Sequence, residues 1–252
     1  MTKRIIISLV VISAFILADQ IWEIHQFLGL TFSSWSSTFI NIYIKIAWYC
    51  VFPISILALL YGYKRAIAET GLKNDIALAA KVTFLCTLPM LIGYAWMSHG
   101  TLRFDLLLVL TSSLLPALSE ELLFRGFLFG QLHRRAGWAF VPAALLSAVV
   151  FGFGHLYQGH NTNEIIGIFL VTGIGGMWFS WLYKSWNYNL WIPLGFHFFM
   201  NLWWTIFSAG DTALGGWSAN VFRAVTIILS VIATLQYQKR QQKAEIEQLE
   251  MT

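Results

Sequence analysis

The sequence predicts an all-α fold, a polytopic membrane bundle of about eight transmembrane helices, on three observations. Of 252 residues, 58% are hydrophobic and only 11% are charged, whereas a soluble domain carries roughly 25% charged residues. Mean hydropathy is +0.66. Apolar stretches of about 20 residues, the length that a hydrocarbon core of about 30 Å requires, recur along the whole chain between short polar breaks. The same composition, with 12 Trp and 20 Phe, excludes a disordered chain.

The first apolar run, Ile5 to Leu17, follows Lys3 and Arg4 in the manner of a signal peptide. It lacks a convincing small-residue cleavage site and seven further spans follow, so it reads as a retained helix. The others are Phe39 to Tyr63, Ile76 to Met97, Phe104 to Leu132, Trp138 to Tyr157, Ile165 to Tyr183, Asn189 to Phe207 and Val221 to Gln236. Basic residues cluster at every second connection, among them Lys64, Arg65 and Lys73, then Arg134 and Arg135, then Lys184, then Lys239, Arg240 and Lys243. The loops Ser33 to Ser37, His160 to Asn163 and Asp211 to Ser218 contain no Lys or Arg. The positive-inside rule then puts both termini in the cytoplasm and favours an even number of spans. Because the net charge of +4 resides at segment ends, it signals topology, and no nucleic-acid partner is expected. Cys50 and Cys86 fall inside apolar segments, where a structural disulfide would be unusual. One domain, 1–252, is expected, with helices 1–100, a core 105–204 and a cytoplasmic tail 237–252 that forms a short surface helix or a frayed end.

A charged side chain at the centre of a membrane helix costs on the order of 2.5–3.5 kcal/mol on insertion scales, so it needs a partner or a wet cavity. Most acidic residues lie at segment ends. Glu120 and Glu121 do not: they stand in LLPALSEELLFRGFLF with Arg125 close behind. On a helix Arg125 follows Glu121 by four residues and shares its face, while Glu120 points about 100° away. One carboxylate is thereby neutralised and the other is left available for proton transfer. A structural ion pair that snorkels to the interface is the plainer alternative for a single Glu–Arg pair. Ser119 falls on another face and reads as packing.

His25, His99, His133 and His160 fall near predicted ends or loops, where a solvated role is expected. His155 closes FGFGH, in which Gly152 and Gly154 leave room for a close neighbour. His197 and Asn201 share a helix face at i and i+4 in HFFMN, which points to a common polar cavity. Drawn with straight helices, Glu120 and His155 come out at different depths unless the Glu120 span extends to about Leu132 or the His155 span begins later.

EELLFR at Glu120 to Arg125, FGFGH at Phe151 to His155 and HFFMN at His197 to Asn201 match, in order and spacing, the EExxxR, FxxxH and HxxxN/D motifs. In these the chain resembles the CPBP family of intramembrane proteases, the CAAX protease and bacteriocin-processing group also called Abi, over roughly Asp105 to Trp204. The resemblance implies an endopeptidase in which Glu120 with His155 activates water, Glu121 and Arg125 hold charge and geometry, and His197 and Asn201 donate to the oxyanion. None of the six residues departs from the motifs. The family is often called a metalloprotease group, and zinc on Glu120, His155 and His197 is the alternative. A metal-free reading is preferred because Asn is a poor zinc ligand and no HExxH occurs. The implied partners are membrane lipid and a peptide or membrane-protein substrate, prenylated substrates included, in a bacterial inner membrane. A proton-coupled transporter or channel, or a non-catalytic bacteriocin-immunity or scaffold protein, is the rival function.

Overall fold

The computed structural model describes residues 2–29 and 36–250, and among these every regular element is helical. Residues 33–35 of the expected loop Ser33 to Ser37, and the ends of the 1–252 domain at Met1, Met251 and Thr252, lie outside the described residues. Helix α1 (Thr2–Asp19) turns by 64° into α2 (Ile21–Phe27). Then come α3 (Ser37–Tyr61), α4 (Tyr63–Thr70), α5 (Ile76–Met97), α6 (Leu106–Arg134), α7 (Phe140–Phe153), α8 (Thr162–Ser185), α9 (Trp191–Ile206) and α10 (Trp217–Glu250). The chain is an integral membrane protein built as a helical bundle.

Six of the described helices are long and apolar enough to cross a membrane, and the bent α1–α2 pair makes a seventh. The remaining expected span, Asn189 to Phe207, is a helix of only 16 residues. At about 1.5 Å per residue it covers roughly 24 Å, less than the full hydrocarbon core. The tail also departs from expectation. It is no separate surface element but the continuation of α10, a 34-residue helix whose exposed end carries a Lys243–Glu247 pair at 3.6 Å. Both cysteines are free.

Polar residues at the helix starts explain where the chain breaks. Asp75, Asp105 and Asn161 each accept a hydrogen bond from the backbone N–H three residues on, at 2.9, 3.0 and 3.1 Å. Each thereby satisfies one of the donors that a helix start leaves open.

Helix α6 lies at the centre of the bundle. Every residue from Ser119 to Leu132 is buried, as a helix apolar on all sides requires. Phe124, Phe127 and Phe129 pack with Val11 and Phe15 of α1, Leu57 of α3 and Ala143 and Phe151 of α7. Within α6, Glu121–Phe129 winds with the wider i→i+5 turn, as do Leu110–Leu114 and Ile44–Val51 of α3. Such turns are rare and frequent at functional sites. Side chains satisfy two carbonyls of the widened stretch: Ser147 donates to Phe124 O at 3.2 Å and Gln131 to Gly126 O at 3.1 Å.

Helix α9 reaches α5 through a glycine. A Cβ on Gly195 would stand 2.5 Å from Thr83 Oγ1 and 3.1 Å from Thr83 Cβ, whereas one on Gly175 of α8 would meet nothing within 4 Å. Gly195→Ala is therefore expected to destabilise the protein by about 1–3 kcal/mol through overpacking. Gly175→Ala should raise stability by up to about 1 kcal/mol through helix propensity alone. Thermal denaturation of the two variants side by side checks the order; equal melting temperatures would place the α5–α9 contact elsewhere.

Candidate active site

The site forms where α6, α7 and α9 meet at mid-bundle and α3 closes one side. Glu120 lies 14 residues before the end of α6 at Arg134, and Gly154 lies 14 residues beyond the start of α7 at Phe140. At about 1.5 Å per residue, both positions are roughly 20 Å from the same turn. The apparent depth mismatch between Glu120 and His155 disappears because α6 runs on to Arg134 and α7 starts at Phe140, later than the sequence suggests. Helix α7 ends at Phe153, so His155 stands on the turn that follows instead of within a helix.

The Glu121–Arg125 pair forms as the spacing predicts. Arg125 Nη1 donates to Glu121 Oε1 at 2.9 Å, with both side chains fully buried. The guanidinium carbon also lies 4.6 Å from the ring centre of Phe151 and 5.3 Å from that of Phe179. Aromatic faces at such distances attract a desolvated cation. Gly176 makes the room, since a Cβ there would stand 3.3 Å from Arg125 Nη2.

Glu120 is not left unpaired, which corrects the sequence expectation. Lys45 Nζ of α3 donates to Glu120 Oε1 at 2.6 Å. A second carboxylate in low dielectric is too costly without a second cation, and α3 provides one. Lys45 belongs to none of the three motifs, although a lone Lys inside the apolar stretch Phe39 to Tyr63 carries the same signal as the glutamates. Lys45 in turn lies 4.6 Å from the ring centre of Tyr49, whose hydroxyl interacts with Asp19 at the α1–α2 bend.

The two imidazoles are oriented alike. His155 Nδ1 is 2.7 Å from the Phe151 carbonyl oxygen, which only accepts, so Nδ1 carries a proton and Nε2 is the acceptor of the neutral ring. His197 Nδ1 is 2.7 Å from Glu121 Oε1, which places a proton there too when the carboxylate is ionised. Its Nε2 faces Glu120 Oε2 at 3.9 Å, beyond a direct hydrogen bond. His155 and Glu120 also interact electrostatically. The Phe151 ring stands between the imidazoles, 4.5 Å from His155 and 6.4 Å from His197, centre to centre.

Asn201 sits to one side. Its Nδ2 donates to Ser112 O of α6 at 3.3 Å, leaving one amide hydrogen uncommitted. Ser119 is packing, its hydroxyl bonded back to Leu115 O at 2.7 Å. Gly152 allows the close approach expected of it, since a Cβ would meet the Phe169 ring at 3.0 Å; Gly154 does not, because a Cβ there would meet only backbone of its own turn. His25 is buried between Tyr43 and Trp48 instead of solvated, because the α1–α2 bend folds it against α3.

Among the described residues no three His, Cys, Asp or Glu side chains are arranged to hold a metal. Glu120 Oε1 is engaged by an ammonium and Glu121 Oε1 by a guanidinium and an imidazole.

Residues 101–203, which contain all six motif residues, match the family model described as type II CAAX prenyl endopeptidase Rce1-like. A stretch of 95 residues is 32% identical to "Putative membrane peptidase YdiL" of Bacillus subtilis (strain 168), covering 38% of this chain. The match covers 34% of that protein's length. No solved structure matches the chain.

Proposed function

We propose, from the premise that residues 101–203 are Rce1-like, that this protein is an intramembrane endopeptidase. It hydrolyses a peptide bond of a membrane-associated or lipidated peptide or protein with water activated by Glu120 and His155. The observation that carries the reading is Glu120 inside the bundle with His197 Nε2 3.9 Å from its Oε2 and His155 in electrostatic range, each imidazole engaged at Nδ1. Substrates with a prenylated tail fit the family description, and a bacterial inner membrane is the proposed location.

In this mechanism a water oxygen attacks the scissile carbonyl carbon while its proton passes to Glu120 Oε2, the oxygen that Lys45 does not occupy. His155 Nε2 accepts a hydrogen bond from the same water and orients it. The carbonyl π electrons move onto oxygen, and that oxyanion takes hydrogen bonds from the remaining Asn201 amide hydrogen and from His197 Nε2 in its doubly protonated form. Such a ring has Glu121 at one nitrogen and Glu120 near the other. Donors of this kind contribute several kcal/mol in a water-poor site. The C–N bond then breaks, the proton held by Glu120 goes to the leaving nitrogen, and the carboxylate is regenerated. Glu121 and Arg125 act through His197 and are positioning residues.

Quantitative membrane proteomics of cells that carry wild type or His155→Ala tests the reading. The expected result is an uncleaved precursor that accumulates only with the variant. Identical proteomes, together with a proton or solute flux that His155→Ala abolishes in liposomes, would make the protein a transporter. Cleavage by purified protein should persist in strong chelator with no zinc detected. Stoichiometric zinc bound through His155 and His197 would reject the metal-free mechanism.

Lys45→Met should lower turnover by about tenfold or more, which requires only ~1.4 kcal/mol in the barrier, with Lys45→Arg partly restoring it. Unchanged cleavage by Lys45→Met would show that the ammonium is only structural.

A further inference from the structure

At the basic end of the bundle, away from the acidic pair, Lys3, Arg4, Arg65, Arg134 and Arg135 converge on one cavity of about 430 Å³. They arrive from the start of α1, from α4 and from the end of α6 and the turn beyond it. Positive-inside topology explains why cations gather at this end of the spans. It does not explain why five line the same cavity. Among the described residues only one carboxylate lines it, that of Glu69, and it is already taken: Arg135 Nε donates to Glu69 Oε2 at 2.8 Å and Arg135 Nη2 to the other oxygen. Those hydrogen bonds hold the Arg135 pKa above its ordinary value. Arg134 is occupied too, donating to Glu69 O at 3.1 Å and lying over the Tyr188 ring.

Lys3, Arg4 and Arg65 remain. Among the described residues none of them has a carboxylate within ion-pair distance, and all three are exposed at the cavity mouth. The hydroxyl of Tyr61, on the cavity wall, is buried and has no hydrogen-bond partner among these residues. The walls are fixed in place. Trp138 Nε1 donates to Ser8 Oγ of α1 at 3.0 Å, and the Arg4 guanidinium lies against the turn at Gly137. A preformed cavity with cations in excess and an unsatisfied hydroxyl is short of one thing, an anion with several acceptor oxygens.

We infer that this cavity binds a phosphate group, carried by an anionic lipid headgroup or present as free phosphate. Basic pockets between membrane helices at the cytoplasmic face bind phosphorylated headgroups in this way. The inference is independent of peptidase activity, and its test does not use it.

The full-length protein is placed in nanodiscs of phosphatidylcholine with about one-tenth phosphatidylglycerol, and retained lipid is counted by native mass spectrometry. Arg4→Gln/Arg65→Gln is compared with Lys239→Gln/Lys243→Gln on the exposed tail of α10. In detergent, inorganic phosphate is added and the melting temperature read. One phosphatidylglycerol per wild-type chain is expected, lowered by roughly tenfold or more in the Arg4/Arg65 pair, as loss of two cations near an anionic headgroup implies. The tail pair should retain it. A phosphate-induced rise in melting temperature that only the Arg4/Arg65 pair loses would assign the site to free phosphate. Retained phosphatidylglycerol without such a rise would assign it to the lipid. If both readouts respond alike in the two pairs, by loss in both or in neither, the site does not exist. Because the substituted side chains are exposed, both pairs should melt near wild type in the absence of phosphate.

Discussion

Glu120→Gln is expected to lower peptide cleavage by about 10²–10⁴-fold, the contribution of a positioned general base, while the protein still folds. Gln keeps the shape of the side chain and can still accept from Lys45, but it cannot take a proton from water. Loss of the carboxylate leaves the Lys45 ammonium unbalanced, yet that side chain is 17% exposed and keeps some access to solvent, so the stability cost should be small. The clean comparison is Glu120→Gln against Ser119→Ala, one residue away, whose hydroxyl only bonds back to Leu115 O. Ser119→Ala should cleave like wild type. The precursor identified by proteomics, supplied as substrate to reconstituted protein, gives the rates. Wild-type turnover by Glu120→Gln would remove the carboxylate from the chemistry and with it the proposed mechanism.

Much of this arrangement is legible in the sequence because two of its determinants are local. Hydropathy over about 20 residues marks a span whatever packs beside it, and Ile76–Met97 is recovered to the residue. The i,i+4 spacing of Glu121 and Arg125 survives even the wider turn of α6. What could not be read depends on which helices become neighbours. Lys45 is paired with Glu120 across 75 residues of chain, and no periodicity within α3 announces that contact. Burial of His25 depends on the 64° bend after Asp19. The depth of His155 could not be fixed by hydropathy, since Trp138 is as apolar as the helix it precedes. Helix α7 starts only at Phe140, and those two residues bring the imidazole level with the carboxylate.

The Glu121–Arg125 pair separates stability from positioning. Both side chains are fully buried, so solvent does not discount the interaction, and Arg125→Met should cost about 3–5 kcal/mol by leaving a carboxylate uncompensated in low dielectric. The guanidinium also fills the space between the Phe151 and Phe179 rings, which Met can largely occupy. Replacing both members, Glu121→Leu/Arg125→Met, removes the stranded charge and should recover most of the stability, because a buried ion pair exchanged for apolar groups of similar volume is often neutral. Activity should not return with it. His197 Nδ1 would lose the acceptor that holds it at 2.7 Å, and the imidazole would no longer be constrained to present Nε2 toward Glu120. Unfolding free energies and turnover for the two single variants and the double variant give a cycle in which stability couples and activity does not. A double variant that regains wild-type turnover would show that His197 is placed by the packing of α9 alone, and the acidic partner of Arg125 would then have no part in positioning the site.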